Sequence, residues 1–537
     1  MKSPGGQFVA AALLAVLWGL PLAAALVAAA QGLIDAEAWK ALLDHPQLWE
    51  ALGLSLFTGT ISTLLAFIGA TAIVAGLYGT PLWRKLASLS GLFLALPHLA
   101  FAIGFGFLIM PGGWIARFLV GGDTPPNWIT TQDPWGFSLI AVLALKEIPF
   151  LVWIYWTLLA RSDISQLLDG HWRSARSLGH ASLSVWLRIL LPQLVPRIIW
   201  PLAVVWVYGS TVVDLALVIG PTQPSTLALI IWSDLNDGDA AANMRGIAGA
   251  AFLTLILAAA AAGFWLVLKL ITPAWRRFAS KGPSHATMPE LPALALIGAI
   301  TFAYLAVLMI LLVMSFAGRW PYPAVLPEIL MLDAWKRISF DSITISFLLA
   351  ITASLTASAL AVLWLESISE RWDKIVSGSA AIALVIPALV IAGGQYQLFL
   401  HAGLTGTALG LFLVHLTPVF AYVWIVLKGP YRAFDPRYAS VASGLRAGPW
   451  LFWRQVKAPL LKSPLLSALA VGFSVSLAQF VPAQLIASGR FSTLPMEAVT
   501  LASGGNRSLT AAFALLLAAP PALAFLITAR LGKSRWA

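Results

Sequence analysis

Cysteine is absent from the 537 residues, which excludes a disulfide framework and any cysteine metal or redox centre. Charge is scarce as well: Asp, Glu, Lys and Arg make up 10% of the chain, against about a quarter in soluble domains. A phosphate-binding loop of the G-x-x-x-x-G-K-[ST] type is missing, because Ile527 stands where the first glycine should precede Gly532-Lys533-Ser534. The seven histidines are scattered with no H-E-x-x-H or similar spacing, so the sequence offers no metal site and no hydrolytic constellation.

What is present is apolar. Hydrophobic residues make up 60% of the chain, mean hydropathy is +0.87, and there are 24 tryptophans. A soluble core cannot absorb that load, and about 20 apolar residues span the hydrocarbon of a bilayer. The fold class is therefore an all-α polytopic membrane protein. A net charge of +11 would suggest a nucleic-acid partner in a soluble chain; here it reads as loop bias, and nucleic acid is set aside. The apolar run from Phe8 to Ala30 exceeds the roughly 7–15 residues of a signal-peptide core, which favours a first membrane helix that is not cleaved.

Long apolar segments predict helices at 8–30, 52–78, 87–110, 136–159, 195–219 and 244–271, and again at 291–317, 341–366, 375–400, 404–428, 464–488 and 507–530. Twelve spans fall into a first module, 1–271, a polar linker, 272–290, and a second module, 291–537. With the N-terminus inside, 24 Lys and Arg fall on inner segments, from Lys2, Arg84, Lys85 and Lys281 to Lys533 and Arg535, and eight on outer ones. That bias places both termini in the cytoplasm.

The two sets repeat each other. Pro192 and Pro459 lie 267 residues apart, as do Ser225-Thr226-Leu227 and Ser492-Thr493-Leu494; Pro149 and Pro418 differ by 269, and Pro97 and Pro387 by 290. The jump in offset comes from the loop Pro111–Pro134, which has no counterpart of similar length. Each set has an even number of helices and the same charge orientation, so the repeats are parallel. The largest inner loops, about 160–194 and 429–462, occupy the same place in each.

The first of these loops reads Arg173-Ser174-Ala175-Arg176-Ser177-Leu178-Gly179, nine residues, then Ile189-Leu190-Leu191-Pro192. It resembles the E-A-A, three residues, G, nine residues, I-x-L-P signature of permeases of ATP-binding-cassette importers, with Arg173 in place of Glu. In that family the segment docks into the ATPase subunit, a role the resemblance carries to Ala175, Leu178, Gly179 and His180. The second loop matches more loosely: Ala442, Arg446, Ala447, Gly448, Val456 and Pro459 fall on signature positions, with Arg446 where glycine is usual. Glycine takes a left-handed turn cheaply and arginine does not, so the turn is expected to shift to Gly444 or Gly448. A basic amphipathic loop lying on the bilayer is the plain alternative.

One chain with both halves is similar to the permeases for ferric iron and thiamine and to a related uncharacterised group. The resemblance implies two ATPase subunits, a periplasmic solute-binding protein docked on Pro111–Pro134 and Gly220–Ala242, and a bacterial inner-membrane location. ATP and Mg would sit on the partner, with no cofactor in this chain, and transport would proceed by alternating access. An ion-gradient-driven carrier, with broken helices or clustered intramembrane carboxylates, is the rival reading; a membrane enzyme or an assembly scaffold ranks behind it.

Ionisable groups inside a span are costly and hence candidates for function. Lys146 and Glu147 lie in the fourth expected helix and Asp214 in the fifth; His415 is the repeat partner of Lys146. Two readings stand, a buried pair that fixes helix packing, with Glu147 or Asp214 meeting Lys146, or a lining of the translocation path. Pro97, Pro149, Pro387 and Pro418 are candidate kinks. Gly104-Phe105-Gly106 and Ala258–Gly263 read as packing stretches. If Glu147 lines the path, Glu147→Gln lowers uptake while the chain still assembles in the membrane; undiminished uptake removes it from the path.

Overall fold

The computed structural model describes residues 4–83, 91, 93–120, 122–279 and 290–532. Lys2, Arg84, Lys85, Lys281, Lys533 and Arg535, the start of the expected helix 87–110 and most of the expected linker lie outside the described residues. The first half contains α1 (Pro4–Gln31), α2 (Leu48–Leu77), α3 (His98–Ile109), α4 (Phe137–Leu159), α5 (Ser162–Ser177), α6 (Ser182–Thr211), α7 (Asp214–Ile219), α8 (Leu227–Leu235) and α9 (Ala240–Ala279). The second contains α10 (Glu290–Ser315), α11 (Phe340–Ser367), α12 (Asp373–Val385), α13 (Ala388–His401), α14 (Ala408–Arg432), α15 (Arg437–Gly444), α16 (Pro449–Leu460), α17 (Lys462–Leu477), α18 (Val481–Ala487), α19 (Leu494–Ser503) and α20 (Arg507–Leu531). Among the described residues ten helices are long and apolar enough to cross a membrane, and twelve spans result if the bent pairs α12–α13 and α16–α17 each count as one.

Four expected continuous helices are interrupted. The fifth breaks at Val212-Val213 between α6 and α7, and its repeat breaks at Ala478–Phe480 between α17 and α18. Pro97 and Pro387 are not kinks within helices. Each stands just before α3 or α13 in an extended conformation, ψ 146° and 134°, and the chain bends by 102° between α12 and α13. With φ locked and no N–H to offer, each proline opens a new helix rather than bending an old one. Pro149 and Pro418 remain inside α4 and α14. The helix α9 runs on past residue 271, through the first part of the expected linker.

The repeat is visible bond by bond. The Leu227 amide that opens α8 donates to Ser55 Oγ on α2 at 2.9 Å; 267 residues on, the Leu494 amide that opens α19 donates to Ser346 Oγ on α11 at 2.8 Å. Both bonds satisfy an amide that a helix start leaves open. In each half the second long helix is the hub: α2 packs on α4 and α6, and α11 on α14 and α17. Close approach there rests on small residues, for a Cβ on Gly59 would stand 2.7 Å from the Ser210 backbone N.

The first helices are exchanged between the halves. α1 packs on α11 and α13, and α10 packs on α2, α3 and α20. Gly104 belongs to this exchange, since a Cβ there would meet Val307 of α10 at 2.7 Å. Gly263 has no such neighbour and Ala261–Gly263 are exposed, so the Ala258–Gly263 stretch is not a packing seam: its small side chains simply lie on an unpartnered face of α9.

A Cβ on Gly394 of α13 would fall 1.9 Å from the Ala25 carbonyl oxygen of α1, and backbone cannot yield there. Gly394→Ala is expected to cost about 1–3 kcal/mol and to lower the melting temperature in detergent, read by tryptophan fluorescence. Gly378→Ala, with open space around it, serves as the control and leaves the melting temperature unchanged or slightly higher.

Candidate functional site

Two matched turns stand at one end of the molecule. α5 closes on Gly179 at φ 87°, and the amides of Gly179 and His180 donate to the carbonyls of Arg176 and Ala175, both at 3.1 Å. α15 closes on Arg446 at φ 56°, with the amides of Arg446 and Ala447 donating to Ser443 and Ala442, both at 3.0 Å. The expected shift of this turn does not occur. Gly444 stays helical and Gly448 has φ −65°. Two closing hydrogen bonds require the left-handed residue at that one position, and they outweigh a penalty of about 1–2 kcal/mol for a side chain there.

The apex residues also match. Leu178 is 70% exposed and Leu445 77%, while Ala175 and Ala442 are buried behind them. Each turn is followed by a π-helical turn, Trp186–Leu190 and Trp453–Lys457, that holds Ile189 and Val456 half-buried. Pro192 and Pro459 come two residues after these turns. The wider turn carries the carbonyl four residues back clear of the proline ring, so Pro192 does not break α6. In the second copy the chain bends by 77° after Leu460.

The two turns are anchored differently. Tyr78, just beyond α2, donates from its hydroxyl to Asp169 Oδ1 on α5 at 2.6 Å; burial and that carboxylate push the phenol pKa up. Behind the second turn, Glu366 Oε1 on α11 accepts from Lys457 Nζ and from the Tyr431 hydroxyl, both at 2.5 Å, and Trp453 Nε1 donates to Tyr431 at 2.9 Å. Near α15, hydrogen bonds from the Arg437 side chain and amide hold the Asp435 carboxyl below its usual pKa.

Deep between the halves lie the intramembrane groups. Lys146 is 2% exposed, and its Nζ donates to Leu96 O at 2.6 Å and Phe93 O at 3.1 Å. The Phe93 carbonyl is the one that Pro97, lacking an N–H, cannot bond. Lys146 therefore fills the gap in a broken backbone, and neither Glu147 nor Asp214 bonds it. Glu147 Oε1 instead meets His98 Nε2 at 3.0 Å. The His98 ring lies edge-on to Tyr208 at 5.2 Å. Asp214, just past the break in the fifth helix, is within Coulombic reach of His98. Tyr422 comes from α14 of the other half, within Coulombic reach of Glu147 and Tyr208, so its 39% exposed side chain faces the space between the halves.

Of the four sequence candidates, Glu147 and Asp214 share this cluster and Lys146 backs it. His415 does not join it. It is buried in the second half, Nδ1 at 2.8 Å from Ser476 Oγ, its carbonyl accepting from Gln479 Nε2 at 3.1 Å. Sequence reasoning missed His98, Tyr208 and Tyr422. For His98 a signal existed, an ionisable residue directly after Pro97 within the expected span 87–110. Among the described residues no three His, Asp or Glu side chains come close enough together to hold a metal ion.

Two parallel six-helix modules with exchanged first helices, matched turns at one end and a polar cluster between them define a two-module membrane transport subunit. No family model matches the chain. It is 30% identical over 533 residues to the inner membrane ABC transporter permease protein YnjC of Escherichia coli, covering 98% of this chain and 96% of that one. It is 26% identical over 488 residues to the thiamine transport system permease protein ThiP of Salmonella typhimurium, covering 85% and 84%. Similarity to the spermidine/putrescine transport system permease protein PotC of Haemophilus influenzae, 25% over 173 residues, covers 32% of this chain and 67% of that one. The chain belongs to the permeases of ATP-binding-cassette importers, in the fused form that carries both modules. That membership sets aside the gradient-driven carrier, although the helix breaks such a carrier would show are present.

Lys146→Met leaves two buried carbonyls without their donor, an expected loss of about 1–3 kcal/mol for each group left unsatisfied. The melting temperature of the purified variant falls if the lysine is a backbone cap, and an unchanged melting temperature contradicts that role.

Proposed function

We propose that the chain forms the whole membrane pathway of a binding-protein-dependent importer, with modules 1–271 and 291–537 joined by the linker 272–290. The multi-pass fold belongs in the inner membrane, and the charge bias argues for both termini in the cytoplasm. One observation carries the proposal: the same left-handed turn, with an exposed leucine before it and a buried alanine behind it, recurs 267 residues apart. Each copy offers one ATPase subunit a knob, Leu178 or Leu445, set on a closed helix end. The chain itself is not an enzyme on this reading. ATP and Mg reside on the partners, no cofactor is needed here, and hydrolysis is felt as movement of the two turns.

The opposite end suits a periplasmic solute-binding protein. Arg117 donates to the carbonyls of Pro321 and Ala324 at 2.8 and 2.5 Å, and Arg245 pairs with Asp234 at 2.6 Å. These bonds hold the outer loops as a firm platform. Rocking of the modules about the exchanged helices then opens the central space alternately to each side, with Glu147 and Asp214 lining it and the helix breaks at Pro97 and Pro387 as its bending points.

Leu178→Asp and Leu445→Asp test the docking. Each single variant is expected to lose one of two ATPase subunits that co-purify from host membranes, and the double variant to lose both, at unchanged melting temperature. A double variant that keeps its full complement rules the turns out as docking sites.

A further inference from the structure

The polar cluster between the modules breaks the repeat. His98, Glu147, Tyr208 and Asp214 of the first module correspond, at the offsets of 290, 269, 267 and 267, to Ala388, Leu416, Val475 and Val481 of the second. Four polar side chains face a register of four apolar ones. Backbone position is not the cause, since the turns, the helix starts and the Ser55 and Ser346 bonds all repeat. Tyr422 is the second module's one polar contribution to the cluster, and its counterpart is Trp153, also aromatic.

Charge within the cluster is unbalanced. The ammonium of Lys146 is taken up by the Phe93 and Leu96 carbonyls and is 2% exposed. Two carboxylates share the space with a single imidazole, and among the described residues no lysine or arginine pairs with Asp214. An isolated carboxylate in this setting is expensive unless a cation joins it. A small anion would meet repulsion. A bare metal ion would lack ligands, for no three metal-ligating side chains converge among the described residues. The rings of Tyr208 and Tyr422 bring aromatic edges and faces into the same space, which favours an organic cation over a hydrated inorganic one.

Resting on the permease reading, we infer that the solute is an organic cation with an apolar portion, its positive charge held on the first module between Glu147 and Asp214 and its apolar portion turned toward the second. A solute with one charged side matches a path with one charged wall. The symmetric alternative, a polar half-site in each module, is absent at all four positions.

The test is equilibrium dialysis of the chain with its co-purified subunits in lipid nanodiscs, against labelled thiamine, spermidine and choline as organic cations and phosphate and glutamate as anions. At least one cation is expected to bind saturably and no anion to do so. Glu147→Gln and Asp214→Asn are each expected to weaken cation binding about ten-fold or more, with Gly378→Ala unchanged. Saturable anion binding, no saturable binding of any of the three cations, or cation binding indifferent to both carboxylate variants overturns the inference. ATPase subunits retained on the variants mark such a failure as one of solute class alone; their absence from the unmutated chain would strike the permease reading instead.

Discussion

A backbone interrupted inside lipid has to find its hydrogen-bond partners within the protein, and the rest of this structure follows from how it does so. Pro97 opens the Phe93 carbonyl, and Lys146 reaches it from α4. Pro149 opens the Leu145 carbonyl, and the Tyr304 hydroxyl approaches it at 3.5 Å from α10. Beside Pro418, the Thr417 carbonyl accepts from Trp18 Nε1 of α1 at 2.8 Å. Two of these three donors sit on the exchanged first helices. Each exchanged helix therefore supplies a polar group next to the proline of the other module's fourth helix, and helix breaks and helix exchange belong to one arrangement.

That arrangement gives a permease what it needs. Proline breaks leave bending points in mid-span without orphaned carbonyls, so segments can reorient at low cost. Backbone repair also fixes the electrostatics. With Lys146 committed to carbonyls, Glu147 and Asp214 are left facing the central space, beside His98 and two tyrosines. At the far end of the same helices, the closed turns at Gly179 and Arg446 convert a sequence signature into a pair of exposed leucines on rigid supports. Glu366, Lys457, Tyr431 and Trp453 brace only the second of these turns, while Tyr78 and Asp169 brace the first. The modules are thus alike in outline and unlike in their polar detail, which is where direction and solute preference can reside.

Much of this was legible in the sequence. Span number, the parallel repeat and the position of both turns follow from apolar run length and recurring spacings, because lipid enforces length and the repeat preserves register. The breaks at Val212-Val213 and Ala478–Phe480 were not legible, since valine, alanine and phenylalanine carry no local stop signal and tertiary packing decides where such a run opens. Arg446 illustrates the opposite error. Propensity argued against a left-handed arginine, yet two closing hydrogen bonds set the turn. The role of Lys146 depends on a proline 49 residues earlier in the chain, a relation no spacing rule contains, and the exchange of α1 and α10 is wholly tertiary. Tyr208 and Tyr422 entered the site for the same reason: each is an ordinary aromatic in an apolar helix until the two modules face each other.

The central claim is that one chain presents two equivalent docking turns, one for each ATPase subunit. Native mass spectrometry of the chain, purified in mild detergent from its own host, counts what it carries. Two ATP-binding subunits per chain are expected. A single subunit would contradict the equivalence of the Gly179 and Arg446 turns, and a bare chain, under conditions that keep a control transporter complex intact, would contradict docking altogether.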